Sequence, residues 1–392
     1  MYKVLTLNNI SEKGINKLLA ENFQVADKIQ NPDGILVRSY EMKDMELPES
    51  LLAIARAGAG TNNIPVAKCS EKGIVVFYAP GANANAVKEL VITGILISSR
   101  KIVEGIEWTR SLKGQKNVDK LVENGKAKFA GPEISGKTLG VIGLGAIGVL
   151  VANAAIALGM KVIGFDPYLS IDSAWSLSSS VTKADDMAGL VSKSDYITLH
   201  IPLNDKTRGM FGKELFSKVK PGARILNFSR GEIVDIAALK EAIDSNIIES
   251  YITDFPSDDL LDIDRVILIP HLGASTPESE EHCAEMAAAE LRDYLEYGKI
   301  KNSVNFPDCE EYYYGKTRVS IIHKNIPGMV SSIANAFSAE CINIENLINK
   351  SKGDWAYTLV DIDGFNGRKD SILEAIDRIS GVVAIRVVKE EN

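Results

Sequence analysis

Cysteine and histidine are scarce in this chain, four of each in 392 residues. Cys69, Cys283, Cys309 and Cys341 stand far apart, with no CxxC pair and no zinc-ligand spacing. This excludes a disulfide framework and a clustered metal site as organising features, and it fits a reduced, cytoplasmic protein. Positive charge is not in excess either. The 44 Lys and Arg residues face 52 Asp and Glu, a net charge of −8, which argues against nucleic acid or an anionic membrane as the main partner. No apolar run approaches the ~18 residues of a membrane span, and the opening MYKVLTLNNIS lacks the apolar core of a signal peptide. A hydrophobic content of 45% with 24% charged residues is that of a globular protein with large cores. The length predicts two or three domains.

The richest stretch is 138–166, TLGVIGLGAIGVLVANAAIALGMKVIGFD. An apolar strand meets Gly143, Gly145 and Gly148, then an alanine-rich helix, then a second apolar strand ending at Asp166. The three glycines suit a tight turn, a close backbone approach to a pyrophosphate, and close helix–strand packing. The helix start offers unpaired N–H groups to phosphates. Asp166 lies 18 residues after Gly148, placed to accept from a ribose 2′-hydroxyl and to repel a 2′-phosphate. The expected cofactor is NAD rather than NADP.

Strand and helix signals alternate through the first hundred residues and again between 138 and 269, which predicts βαβ units and parallel sheets. Long helical patterns cover 86–106 and 276–297. At 299–316 polar residues, a proline and turn formers read as a linker. Beyond it the signals run strand (318–323), turn, helix (330–339), two strands, helix (370–379) and strand (382–388), the βαββαβ order of a ferredoxin-like domain. The fold class is therefore α/β: two Rossmann-like, doubly wound parallel-sheet domains and a C-terminal ferredoxin-like domain. The expected boundaries are 1–85 with 280–305, then 86–279, then 317–392, the small domain hanging from its linker.

With GAGTNNIPV (58–66), APGANANAVKEL (79–90), GKTLGVIGLGAIG (136–148), LHIPLNDKTRGM (199–210), NFSRGEIVD (227–235) and PHLGAST (270–276) in view, the chain resembles the D-2-hydroxyacid dehydrogenases over nearly its whole length. It is most similar to members that oxidise 3-phospho-D-glycerate at the start of serine synthesis and end in an ACT domain. The resemblance implies roles for particular residues. His271, in PHLGAST, matches the general base, a task suited to a group that titrates near neutrality. Arg230 matches the arginine that grips the substrate carboxylate and carbonyl oxygen through paired hydrogen bonds.

The family's histidine is oriented by a glutamate, and here the chain departs from the pattern. In YITDFPSDDL (251–260), apparently one residue shorter, Asp258 falls at the glutamate's place, with Asp259 as the neighbouring alternative. Asp254 aligns with an aspartate near the nicotinamide. Ala146, Ile147, Phe228, Ser229, Gly273 and Ala274 carry over as cofactor contacts, while His200 is either a contact or a buried histidine. Ala59, Gly60 and Asn83 carry over as substrate contacts. Arg38 matches the first arginine of a phosphate-contacting pair whose second member is Tyr40 here, so a surface role is the alternative.

In the small domain His323, Asn325 and Asn343 stand at positions that bind an amino acid, serine, across a dimer of ACT domains in some relatives. The alternative is a domain for assembly alone. The implied partners are a small-molecule substrate and a serine effector, in a homodimer or homotetramer. The rival readings are a relative acting on glycerate, lactate or 2-hydroxyglutarate, and a non-catalytic NAD(H)-sensing protein.

Overall fold

A computed structural model describes residues 1–19, 22–313 and 316–390. Residues 314 and 315 of the expected linker, and 391 and 392 of the expected last domain, lie outside the described residues. The chain divides into two compact units, Met1–Asn83 with Pro277–Asn392, and Ala84–Thr276.

The first unit holds two sheets. Strands β1 (Tyr2–Leu7), β2 (Phe23–Ala26), β3 (Gly34–Val37), β4 (Ala53–Arg56) and β5 (Val75–Tyr78) are parallel, in the order β2-β1-β3-β4-β5. The second unit carries a seven-stranded parallel sheet: β6 (Thr138–Ile142), β7 (Lys161–Phe165), β8 (Thr182–Lys183), β9 (Tyr196–Leu199), β10 (Ala223–Asn227), β11 (Ile248–Thr253) and β12 (Val266–Leu268). Its order, β12-β11-β10-β9-β6-β7-β8, reverses between β6 and β9, the switch point where doubly wound sheets bind ligands. Strands β13 (Thr317–Lys324), β14 (Ile344–Lys352), β15 (Trp355–Ile362) and β16 (Val382–Lys389) form an antiparallel sheet in the first unit, ordered β14-β15-β13-β16. With the helices Met329–Ala339 and Lys369–Asp377 this is the βαββαβ plan.

The small sheet is buried on both faces. Val319, Ile321 and Val360 pack with Ile333, Phe337, Ile372 and Ile376 of its two helices. On the other face Ile322, Tyr357 and Leu359 join one core with Val4, Val75 and Phe77 of the first sheet and with Ala287, Ala288 and Leu291. The last three lie on the Pro277–Tyr297 helix, which starts on a proline with Glu278 and Glu280 in its first turn, an arrangement suited to a helix N-terminus. Arg318 fastens this arrangement. Fully buried, it makes five hydrogen bonds: Nε and Nη2 to the two carboxylate oxygens of Asp361 at 2.6 and 2.7 Å, Nη1 to the carbonyls of Tyr297 and Glu311, and Nη2 to that of Tyr312. Nearby, Arg386 lies over the ring of Tyr294 at 4.5 Å and donates to the carbonyls of Tyr294 and Leu295, and the Tyr357 hydroxyl donates to that of Gly298.

The composition of 299–316 suggested a tether, but much of it is built in. Phe306 and Cys309 are buried. Asn305 accepts from the Val76 amide and donates to Ser70 Oγ and the Ile74 carbonyl. The single helix expected over 86–106 is two, Ala84–Arg100 and Ile102–Ser111, broken at Lys101, whose φ of +46° lies in the left-handed region.

Glu290, on the Pro277–Tyr297 helix, is 7% exposed. One of its oxygens accepts from Asn302 at 2.7 Å, while Oε2 has no partner among the described residues. Burial pushes its carboxyl from an ordinary 4.5 up to about 8, against the pull of Asn302.

Two predictions follow from these buried groups. Replacing Arg318 with Ala strands Asp361, and the urea transition of the first unit should lose about 3–5 kcal/mol. The Arg318→Lys variant keeps the charge but loses the fork, and should recover less than half of that. For Glu290, the folded carboxyl holds its proton where the unfolded one has lost it, so its contribution falls as pH rises from about 4.5 to about 8. Glu290→Gln should therefore flatten the decline in melting temperature across that window.

Candidate active site

At the switch point β6 delivers Gly143 with φ of +92°, a left-handed turn that glycine adopts without cost. A Cβ there would lie 2.4 Å from the His200 carbonyl oxygen, and one at Gly148 would lie 1.9 Å from that of Gly143. A Cβ on Gly145 would meet nothing within 4 Å. Gly145 is the N-cap of the Ala146–Ala157 helix and provides no side-chain cap, so the helix's first amides stay available to an anion. Gly145 and Ala146 are exposed, and Ile147 is half-buried.

Asp166 follows β7. One carboxylate oxygen accepts from the Leu144 amide and the other from that of Tyr168, both at 2.8 Å. It borders a cavity of about 350 Å³ also lined by Gly164, Pro167, Leu177 and Val181. A glycine turn with an open amide end, an acid held beside it and a partly apolar cavity fit the pyrophosphate, ribose and adenine of NAD.

The strand ends on the other side of the switch point carry the polar side chains. Asn227, ending β10, donates to the Arg230 carbonyl and accepts from the Ser229 amide, and Thr253 of β11 donates to the Asn227 carbonyl. Ser229 Oγ donates to Leu199 of β9, and Phe228 is buried. The turn that presents Arg230 is thus tied to three strands. Arg230 itself is half-buried, with Nη1 on the Ser229 carbonyl at 2.6 Å.

Asp254 is almost wholly buried. Its Oδ2 accepts from the Gly273 amide at 2.9 Å, whereas Oδ1 has no partner among the described residues. Burial raises its carboxyl above the ordinary value, opposed by the Gly273 N–H and by the charges of His271 and Arg230. Asp254 therefore sits near both expected chemical groups, and its unsatisfied acceptor suits an amide donor such as the nicotinamide carboxamide. His271 is exposed, its amide donating to the Asp254 and Ile269 carbonyls at 3.0 Å, with φ of +30°. Ala274 follows on the same turn, half-buried.

Asp258 and Asp259 are not brought to His271. Both are exposed, in the first turn of the short helix Asp258–Leu261, and neither hydrogen-bonds the imidazole among the described residues. They sit at a helix start, where carboxylates are favoured by the dipole. The ring packed on the imidazole is that of Phe255, at 4.9 Å. His200 is fully buried, with Nε2 on Thr198 Oγ1 and Nδ1 without a partner among the described residues. Burial pulls its pKa down to about 3, so it stays neutral.

In the first unit, Ala59 and Gly60 follow β4, and neither amide donates to an acceptor among the described residues. Arg38, after β3, pairs with Glu280 at 2.6 Å. Tyr40 is exposed. A second guanidinium is nonetheless present, because Arg56 donates through Nε to the Arg38 carbonyl at 3.1 Å. Sequence reasoning passed over Arg56, although its place directly before the AGAG run was a usable signal. Nothing in the sequence pointed to Glu280. Asn83 directly precedes the Ala84–Arg100 helix, and its Oδ1 is buried without a partner among the described residues.

In the small domain His323 is buried, its ring nitrogens on the Lys324 carbonyl and Thr358 Oγ1 at 2.8 Å, with Asn349 alongside at 3.2 Å. Asn325 donates to the Gly353 carbonyl. Asn343 precedes β14, and the register sets it at the opposite end of the sheet from His323.

Cofactor cradle, buried carboxylate, histidine and arginine on one parallel sheet define a pyridine-nucleotide-dependent dehydrogenase. Residues 92–273 match the model for the NAD-binding domain of D-isomer-specific 2-hydroxyacid dehydrogenases. The D-3-phosphoglycerate dehydrogenase of Methanocaldococcus jannaschii is 35% identical over 369 residues, 87% of this chain and 68% of that protein. That of Escherichia coli is 29% identical over 413 residues, 98% of this chain and 97% of its own. The crystal structure of NAD+-bound 3-phosphoglycerate dehydrogenase from Entamoeba histolytica superposes with a TM-score of 0.61 at 27% identity, covering 78% of this chain and 98% of that one. The chain belongs to the D-isomer-specific 2-hydroxyacid dehydrogenase family, and its cofactor is NAD. No helix among the described residues is long and apolar enough to cross a membrane.

The glycine geometry separates binding from folding. Gly145→Val should leave the melting temperature unchanged and weaken NAD at least about tenfold in titration calorimetry, because its side chain projects only where the pyrophosphate approaches. Gly148→Ala should lower both together, since its Cβ collides with the turn.

Proposed function

We propose that this protein oxidises 3-phospho-D-glycerate to 3-phosphohydroxypyruvate in the cytoplasm, as the first step of serine synthesis. The observation that carries the reading is the placing of His271 on the carbonyl of the buried Asp254 and of Arg230 on the turn held by Asn227, at the ends of neighbouring strands, in a chain similar to D-3-phosphoglycerate dehydrogenases over most of its length. NAD supplies the hydride acceptor. The substrate's C2 gives up its hydride while His271 takes the hydroxyl proton as general base. Arg230 holds the carboxylate and steadies the oxygen that becomes a carbonyl. Asp254 Oδ1 would offer an acceptor to the carboxamide of the bound cofactor.

Ala59 and Gly60 offer amides to the substrate, and Asn83 a side-chain amide. Arg38 and Arg56 supply the paired guanidinium charge that a phosphoryl group favours over a simple 2-hydroxy acid. The first unit's parallel sheet serves as the substrate-binding domain, and the last domain as an ACT module that binds serine. Because Asn343 stands at the far end of the sheet from His323 and Asn325, a site using all three requires two copies of the chain, in a homodimer or homotetramer.

The test is NADH formation from 3-phosphoglycerate, compared with glycerate, lactate and 2-hydroxyglutarate, with and without serine. The expected kcat/KM is highest for the phosphorylated acid, and serine lowers the rate. His271→Asn should cost about 10²–10⁴-fold in kcat. A higher kcat/KM for an unphosphorylated acid would replace the substrate while keeping the chemistry.

A further inference from the structure

Among the described residues no carboxylate hydrogen-bonds the His271 imidazole, yet its place is tightly determined. Phe255 directly follows Asp254 at the end of β11, its amide donating to Thr253 Oγ1 at 3.2 Å. Its ring centroid lies 4.9 Å from that of the His271 imidazole, with the planes at 58°. Its Cβ lies where a side chain on Gly231 would come within 3.3 Å, and Gly231 is the residue after Arg230. One aromatic side chain therefore abuts both the imidazole and the turn that presents the guanidinium. His271 also has φ of +30°, a conformation that costs free energy in a residue bearing a Cβ and needs neighbours to hold it.

We propose that Phe255 is the positioning residue of this active site, setting the plane of the His271 ring and its distance from Arg230 in place of the missing acid. The inference deepens the function proposed above and rests on His271 being the base. An aromatic neighbour differs from a carboxylate in a measurable way. It cannot hydrogen-bond the imidazole, so it fixes the ring by shape, and its π face favours the imidazolium only weakly. Of the charged groups near this turn, Asp254 feels the charges of both His271 and Arg230. Asp258 and Asp259 point their charge to solvent from the Asp258–Leu261 helix.

The experiment compares Phe255→Leu, Phe255→Tyr and Asp258→Asn in the full chain. It reads kcat, KM for NAD, the pH dependence of kcat/KM, and the His271 imidazole C–H resonances, assigned with His271→Asn. Phe255→Leu should lower kcat about 10–100-fold, as loss of alignment does, with KM for NAD unchanged. It should move the pH limb of kcat/KM a few tenths of a unit toward acid, and abolish the ring-current shift of the His271 resonances. Phe255→Tyr should restore all three, and Asp258→Asn should cost at least tenfold less in kcat than Phe255→Leu.

A pH limb and His271 resonances that follow Asp258→Asn and ignore Phe255→Leu would overturn the proposal. Should Phe255→Leu fail to fold, the resonances of Phe255→Tyr and Asp258→Asn decide between the same two outcomes. The resonances need no turnover. A wild-type protein that forms no NADH from any 2-hydroxy acid would sink the proposed function, while an unshifted His271 in an active wild-type enzyme would sink only the role of Phe255.

Discussion

The first unit is organised around one buried cation. Arg318 enters the core on the first strand of the small sheet, and an unsatisfied guanidinium there would be prohibitively costly. Its five donors find acceptors only if three segments arrive together: Asp361 on β15, the end of the Pro277–Tyr297 helix, and the chain at 311–312. A buried pair of this kind is weak evidence for stability, because hydrophobic residues could fill the same space. It is better understood as a constraint on arrangement. The small sheet can dock in only one register on the helix, and Arg386 and Tyr357 reach the same helix end from neighbouring strands. The small domain is accordingly part of the body of its unit.

The second unit applies the same logic to a site that must stay partly unsatisfied. Asn227, Ser229 and Thr253 use their hydrogen bonds to fasten the strand ends, while one oxygen of the buried Asp254 has no partner among the described residues. Leaving an acceptor bare costs stability, and a donor brought by the cofactor recovers it. The same holds for the uncapped start of the Ala146–Ala157 helix.

Much of this was legible in the sequence because its causes are local. The glycines at 143, 145 and 148 are dictated by backbone approach within a few residues, and the alternating strand and helix signals by burial periodicity. The three parallel-sheet and antiparallel-sheet layers follow from them. What stayed hidden depends on distant partners. Asn305 looks like a linker residue until Ser70, Ile74 and Val76 are placed beside it. Lys101 breaks a helix with no glycine or proline to announce it. The expectation for Asp258 failed because matching by position assumes that a shortened loop keeps its path. Here a helix starts at Asp258, and the ring beside the histidine is that of Phe255, two residues before the helix N-cap.

The chain's net charge of −8 and its expected anionic substrate are reconciled locally. Arg56 donates to the main-chain carbonyl of Arg38, which brings two basic residues to neighbouring strand ends. Glu280 pairs with Arg38 at 2.6 Å. Both partners of that pair are more than a third exposed, and exposed pairs of this type are worth only about 0–1 kcal/mol. Glu280 therefore neutralises Arg38 without committing it. Under the proposed function, a phosphoryl group, carrying more charge than a single carboxylate, would displace such a partner at little cost. On the proposed reading, a neutral hydroxymethyl group in the same place would offer nothing in exchange, and the guanidiniums would favour the phosphorylated acid.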